Sequence, residues 1–222
     1  MSLNRNLTNS TLYEERYHVK EKRSNMRFYV FIALFICAIL FLRWYWTENF
    51  GGVTVSGHSM DKTLYTGEQL LMKHTDGSDA ERGDVIVVYV GDYEEFNVTG
   101  GGEKTEYLIK RLIAVEGDRV RCEDGQIEIK YAGTDVWVDL NEPYAYYMHK
   151  QAYDFSEYVV GAGEVFFLGD NRNNSQDSRY MQVGGSRLDC LYKRSDIVGI
   201  VPDWAIKNQK ILEKIFFRNV KK

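Results

Sequence analysis

Two residues in this sequence could form a catalytic pair, Ser59 and Lys110. Ser59 lies in a polar turn that contains Gly57 and follows a strand-like segment at residues 53–56. A serine hydroxyl is a weak nucleophile and needs a base. Lys110 lies inside an apolar strand-like segment, residues 106–115, and a lysine can act as a base only when burial makes it neutral. The two residues therefore predict serine–lysine hydrolysis.

His58, next to Ser59, is the alternative base. Adjacent residues in an extended segment point to opposite sides of the chain. We therefore expect the His58 imidazole to point away from the Ser59 hydroxyl, and we assign it no catalytic role.

A single apolar run precedes these residues and predicts a membrane anchor. Residues 28–42 carry no charge, and continuing to Trp46 gives 19 positions, enough for a helix to cross a bilayer core of about 30 Å. Residues 1–27 hold six basic and three acidic side chains. We therefore expect a cytoplasmic tail at 1–27, a single-pass anchor at 28–46 in the cell membrane, and an extracytoplasmic remainder. A cleaved signal peptide is disfavoured because no small-x-small site follows the run.

The remainder of the chain predicts a mainly β domain at residues 47–205. Short strand-like segments separated by turn signals favour an antiparallel barrel or sandwich, and Asp124-Gly125 indicates a hairpin. Residues 206–222 form a basic amphipathic segment, which either packs on the domain or lies on the membrane. The strand-like segments are 53–56, 69–73, 84–90, 106–115, 119–122, 126–129, 136–140, 164–168 and 197–201.

Composition excludes several classes of function. The net charge of −4 gives no basic field for nucleic acid. The three cysteines lack metal-binding spacing, and Cys37 lies in the apolar run, so at most one internal disulfide can form. We expect unpaired cysteines, no metal and no cofactor.

Four motifs in a fixed order resemble those of type I signal peptidases, which are membrane-anchored serine–lysine endopeptidases. They read SGHSMDKTL, ERGDVIVVY, YLIKRLIAVEGDRV and FFLGDNRNNSQDSR, and the resemblance covers residues 53–202. The single anchor and modest outer domain are similar to the shorter Gram-positive form. The resemblance implies that Ser59 is the nucleophile, that Lys110 is the base, and that Ser175 orients the lysine amine. It also implies that Asp177 and Arg179 form a supporting charged pair.

The same resemblance implies that exported preproteins are the substrates, presented from the membrane lipid. An extended peptide would pair with residues 53–57 and 105–109, and shallow pockets would accept small residues at the first and third positions before the cut. The residues expected to line these pockets are Val53, Val55, Tyr107 and Leu108. Gly57 stands where some members carry a serine hydroxyl, so the oxyanion would depend on backbone N–H groups, chiefly that of Ser59.

Some positions depart from the family and leave alternatives open. Lys62 and Glu116 stand where proline is usual, Ala114 stands where glycine is usual, and residues 144–158 contain six aromatic side chains. The aromatic segment is either a lid or partner-docking insertion, or a hairpin extension packed on the domain. These departures allow a specialised relative that processes pilins or other surface proteins or assists their assembly. A self-cleaving repressor-type domain is disfavoured by residues 1–46, and a non-enzymatic anchored β-domain by the paired motifs.

Overall fold

The computed structural model describes residues 4–91, 107–147, 154–183, 186–187 and 192–217. The chain divides into two compact units, Met1–Glu48 and Asn49–Lys222. The first unit is helical, and the second contains the sheets.

The helix of the first unit, α1 (Asn4–Asn49), contains the apolar run. Its segment Asn25–Asn49 has a mean hydropathy of 2.2, and none of it is buried. Twenty-five helical residues are long enough to cross a bilayer. The predicted N-terminal apolar helix is confirmed, and its position in a membrane stays a prediction.

The second unit consists of antiparallel sheets, which confirms the mainly β prediction. A six-stranded sheet has the order β1-β2-β12-β3-β4-β9, a four-stranded sheet has the order β7-β6-β5-β8, and β10 pairs with β11. Valine- and isoleucine-rich segments form these strands because branched side chains pack well on a pleated surface. The strands are β1 (Phe50–Thr54), β2 (Gln69–His74), β3 (Val85–Tyr89), β4 (Tyr107–Val115), β5 (Arg119–Glu123), β6 (Gln126–Lys130), β7 (Val138–Asp139), β8 (Phe155–Val159), β9 (Val165–Leu168), β10 (Gln182–Val183), β11 (Ser186–Arg187) and β12 (Ile197–Val201).

The β5–β6 connection is the predicted hairpin. Asp124 and Gly125 have φ angles of 51° and 75°, and two positive values are the signature of the tight turn that suits strand twist. The paired strands bury Cys122 in a core cluster together with Val120 and Ile127. Cys122 and Cys37 are free thiols, and Cys190 lies outside the described residues.

The sequence prediction omitted β8, which lies in the aromatic segment. Phe155 and Tyr158 pack their rings against Phe166 of β9, with centroids 5.8 and 4.9 Å apart. The two rings pack in the core of the domain, as expected for a hairpin extension packed on it. Tyr153 lies outside the described residues.

Two short helices, α2 (Asp203–Lys207) and α3 (Gln209–Phe216), follow the last strand. Ile206 and Leu212 pack against the core cluster that also contains Val55 and Leu70. The basic amphipathic segment therefore packs on its own domain through one side.

Candidate active site

Strand β4 brings Lys110 to Ser59. The Lys110 Nζ atom donates hydrogen bonds to the Ser59 Oγ, at 2.7 Å, and to the Ile109 carbonyl oxygen, at 3.1 Å. Only 3% of Lys110 is exposed, and residues 112–114, which follow Arg111 on β4, are buried as well. The structure thus joins the two residues that the sequence pairs across 51 positions.

Burial sets the protonation behaviour of Lys110. Removal of the ammonium from water lowers the pKa of Lys110 from 10.5 to about 8. The Asp177 and Asp170 carboxylates raise that pKa, while the Arg179 guanidinium lowers it. Desolvation is the largest of these effects, so the amine is neutral over a pH range where a free lysine is charged.

The polar loop of residues 169–179 fixes the backbone of the Ser59 turn. The Asn171 N–H donates to the Ser59 carbonyl oxygen, and the Asn171 side-chain amide donates to the His58 carbonyl oxygen, both at 2.9 Å. Two hydrogen bonds from one residue hold consecutive carbonyl groups, so the turn keeps one orientation. The sequence analysis did not assign this role to Asn171.

Gly169 allows the loop and the turn to approach closely. A Cβ atom at Gly169 would lie 2.5 Å from the Ser59 carbonyl oxygen and would also overlap the Ser175 side chain. Ser175 is buried beside the site, but its hydroxyl has no hydrogen-bond partner among the residues that the structure describes. Lys110 donates to the Ile109 carbonyl oxygen in this arrangement, and the orienting role expected of Ser175 stays a prediction.

Asp177 and Arg179 form the predicted charged pair. The Arg179 Nε and Nη2 atoms donate to the two Asp177 carboxylate oxygens at 2.7 and 2.8 Å. Asp177 also accepts the Gly169 N–H at 3.0 Å. The pair therefore holds the glycine against which Ser59 and Ser175 pack.

A second buried pair, Arg111 with Asp170, was missed by the sequence analysis. Two Arg111 nitrogens donate to Asp170 at 2.8 and 2.6 Å, and the Thr63 hydroxyl donates to the same carboxylate at 2.5 Å. The guanidinium also stacks on the Tyr144 ring, 3.9 Å from its centroid. This network ties β4 to the segment that follows Ser59. The Lys-Arg and Gly-Asp dipeptides were visible in the sequence, but their spacing does not reveal which side chains meet.

A cleft of about 340 Å³ opens beside the Ser59–Lys110 pair. Strand β1 is an edge strand, and β4 pairs with β9 only from Arg111 onward, so the first half of β4 has β3 as its one neighbour among the described strands. Each segment thus offers the cleft an open strand edge. The four predicted substrate-contacting residues, Val53, Val55, Tyr107 and Leu108, all line it. Residue 105 lies outside the described chain.

The Ser59 backbone is free to bind an anion. Its N–H donates to no acceptor within the described part of the chain. Gly57 has φ +85°, and no atom lies within 4 Å of the position that its Cβ would occupy. Within the described chain the Ser59 N–H thus has no internal acceptor, and Gly57 adds no side chain to the turn. Among the described residues, no group of three or more His, Cys, Asp and Glu side chains could hold a metal ion.

The His58 imidazole lies against Asp61 and makes no hydrogen bond to Ser59. Its Nδ1 is 3.2 Å from the Asp61 carboxylate, and 64% of the side chain is exposed. Geometry thus agrees with the assignment of no catalytic role to His58.

Comparisons with known proteins place this geometry in context. A family model described as "Signal peptidase, peptidase S26" matches residues 25–205. The chain is 34% identical to Signal peptidase I of Bacillus licheniformis over 160 residues, 68% of this chain and 72% of that protein. It is 29% identical to Signal peptidase I P of Bacillus subtilis subsp. natto over 193 residues, 82% and 90% of the two chains. For Signal peptidase I S of Bacillus subtilis strain 168, the identity is 26% over 171 residues, 73% and 82%.

Lys62 adopts a backbone conformation that proline cannot. Its φ is 80°, whereas the proline ring holds φ near −65°, and its ammonium lies 4.8 Å from the Tyr146 ring centroid. A proline here would therefore change the turn that follows Ser59.

We predict opposite effects for two substitutions at Lys62. Lys62→Gly should raise the free energy of unfolding by about 1 kcal/mol, because glycine adopts positive φ without strain. Lys62→Pro should lower it by more than about 1 kcal/mol. Lys62→Ala, which keeps the Cβ but removes the amine, is the control. Denaturant unfolding of the full chain in detergent measures all three, and a proline variant as stable as the original protein would contradict the argument.

Proposed function

The chain belongs to the signal peptidase family S26, and we propose that Ser59 is its nucleophile and Lys110 its general base. Family membership makes it a serine endopeptidase with signal peptidase I activity, acting on preproteins that bear signal peptides. The observation that carries the residue assignment is the 2.7 Å contact between the Lys110 Nζ and the Ser59 Oγ.

The proposed reaction begins with neutral Lys110. Its amine accepts the Ser59 hydroxyl proton as the Ser59 oxygen bonds to the scissile carbonyl carbon. The resulting oxyanion accepts a hydrogen bond from the Ser59 N–H. Collapse breaks the C–N bond, and the Lys110 ammonium protonates the departing amine of the mature protein.

The second half of the reaction releases the signal peptide. A water molecule gives a proton to Lys110 and attacks the ester carbonyl, and collapse returns the proton to the Ser59 oxygen. The products are a carboxylate on the signal peptide and the regenerated pair. Each step uses only the two residues, water and the substrate.

Two further groups support the proposed pair. The Asp177–Arg179 pair positions Gly169 and influences the charge of Lys110. Ser175 places a buried hydroxyl without a partner beside the same glycine. Rotation toward Lys110 would give that hydroxyl a partner, and this is the orienting role that we propose for it.

Substrate binding by strand addition fits the two open edges at the cleft. A peptide extended between β1 and the first half of β4 would form backbone hydrogen bonds with both. Alternate side chains of such a peptide point to one face, so its first and third residues before the cut would share the surface formed by Val53, Val55, Tyr107 and Leu108. The family resemblance implies that this surface accepts small residues at both positions.

Replacing either member of the pair should abolish cleavage. We expect Ser59→Ala and Lys110→Arg each to lower kcat/KM by more than about 1,000-fold, because groups that act as a unit lose almost all catalysis together. Arginine retains the charge but stays protonated and cannot accept the proton. His58→Ala, the matched control, should stay within about threefold. Cleavage of a preprotein in lipid is the assay, and turnover by the arginine variant would exclude this base.

The pH profile should reveal the pKa of Lys110. Below that pKa the amine is protonated and inactive, so kcat/KM should rise with pH through about 8. Asp177→Asn removes a carboxylate that raises this pKa, so the rising limb should move to lower pH. A limb near the free-lysine value of about 10.4 in the original protein would rule out a buried base.

We also propose that α1 crosses the membrane with its N-terminus in the cytoplasm. Basic tails stay on the cytoplasmic side, and residues 1–27 carry a net +3. Protease added to protoplasts should therefore digest the domain after Asn49 and spare an epitope on the tail. Digestion of the tail with protection of the domain would reverse the orientation.

A further inference from the structure

The C-terminal helix α3 has a packed side and an outward side of distinct composition. Leu212 faces the core, whereas Ile211 and Ile215 are 59% and 64% exposed. Residues four apart lie one above the other on a helix, so the two isoleucines form a continuous apolar strip. Lys210 and Lys214 lie beside it with the same spacing and are also exposed.

These lysines are available for an external partner. Neither forms an ion pair with a side chain in the described part of the protein. The segment 206–222 contains six basic residues and one acidic residue, a balance of +5. Residues 44–205 instead contain 15 basic and 28 acidic residues, a balance of −13. An anionic surface would thus be repelled by most of the domain and attracted to this segment.

The fold places α3 beside the strand that begins at the end of the apolar helix. α3 packs on β2, and a Cβ added at Gly52 of β1 would lie 2.5 Å from the Phe217 ring. β1 starts at Phe50, one peptide bond after α1 ends. The chain therefore connects the proposed anchor directly to β1, and α3 packs on the strand that pairs with β1.

We propose that the outward side of α3 docks on the anionic lipid surface of the membrane that anchors the chain. Isoleucine side chains would enter the boundary between headgroups and acyl chains while the lysine amines stay among the lipid phosphates. This proposal rests on the proposed anchoring by α1 but not on the catalytic assignment. The helix lies beyond residues 25–205, the part of the chain that matches the family model.

Docking would set the height of the cleft above the bilayer. Val53 of β1 lines the cleft, and β1 is the strand that contacts the residue after α3. A preprotein held in the membrane by its own apolar segment presents its cleavage site at a fixed depth. Two attachments, α1 and α3, fix the domain better than one. Anchoring by α1 raises the effective concentration of α3 at the lipid surface, so weak docking is sufficient.

Contact between α3 and lipid can be tested by fluorescence quenching in lipid nanodiscs that each hold one full-length chain. An environment-sensitive dye is attached to Ile215→Cys, or to Asp135→Cys as the exposed control, after the native cysteines are replaced. The discs contain phosphatidylcholine with or without about 30 mol% phosphatidylglycerol, plus a spin-labelled lipid as quencher. In a separate variant that keeps Cys37 as its one cysteine, a dye at that position reports insertion of α1. We expect quenching at position 215 to exceed that at position 135 by at least about threefold in anionic discs, and to fall in high salt.

The contribution of the two lysine amines to docking is tested by the double substitution Lys210→Glu with Lys214→Glu. It should reduce quenching at position 215 to the level at position 135. Equal quenching at both positions in anionic discs, or quenching unaffected by the double substitution, would overturn the proposal. A dye at position 215 that is shielded from water but not quenched by lipid would show that protein covers the helix, again contrary to it. Absence of quenching at Cys37 would show that α1 does not enter the bilayer. That result would contradict the proposed anchor, on which the docking of α3 rests.

A second measurement connects docking to cleavage. Ile211→Ser with Ile215→Ser should lower kcat/KM for a membrane-held preprotein by about fivefold or more, and should leave cleavage of a short soluble peptide unchanged. Equal losses on both substrates would indicate damage to the domain and count against docking.

Discussion

The rest of this structure depends on holding one lysine amine away from water next to a serine hydroxyl. Lowering the pKa of Lys110 from 10.5 to about 8 corresponds to about 3 kcal/mol, the cost of keeping its ammonium in the folded state. A marginally stable domain must offset that cost elsewhere. The apolar packing on both sides of β4 supplies the offset, since Leu112, Ile113 and Ala114 are fully or almost fully buried.

The next residue on β4, Arg111, is buried together with an oppositely charged partner. That partner, Asp170, accepts hydrogen bonds from two of its N–H groups. A buried pair of this kind adds little net stability, yet it is costly to break. Its geometric effect is larger, since Asp170 also binds Thr63, four residues after the nucleophile. The pair therefore fixes the distance between β4 and the Ser59 turn, on which the contact between Lys110 and Ser59 depends.

The Ser59–Lys110 pair and most of the strands were predicted from the sequence, but the hydrogen bonds that connect them were not. Alternating and branched apolar segments predict strands because they follow local physics, and the Asp124-Gly125 hairpin was recognised for the same reason. Strand β8 was missed because its aromatic residues suggested an insertion. Asn171 belongs to a polar motif that the sequence shows. Only the fold shows that it donates hydrogen bonds to two carbonyl groups of the Ser59 turn.

The charge of the domain adds a constraint on its orientation that catalysis alone does not impose. A strongly acidic domain tethered to an anionic bilayer tends to move away from it, as far as its tether allows. β1 begins at the residue after α1, so the proposed anchor would tether the start of β1 to the bilayer. Rotation about that point remains open, and rotation would carry the cleft away from any substrate held at a fixed depth. The docking that we propose for α3 gives the domain a second attachment to the lipid surface, which opposes that rotation. The basic segment 206–222 is the part of the chain after the apolar helix whose net charge suits such an attachment, since residues 44–205 are strongly acidic.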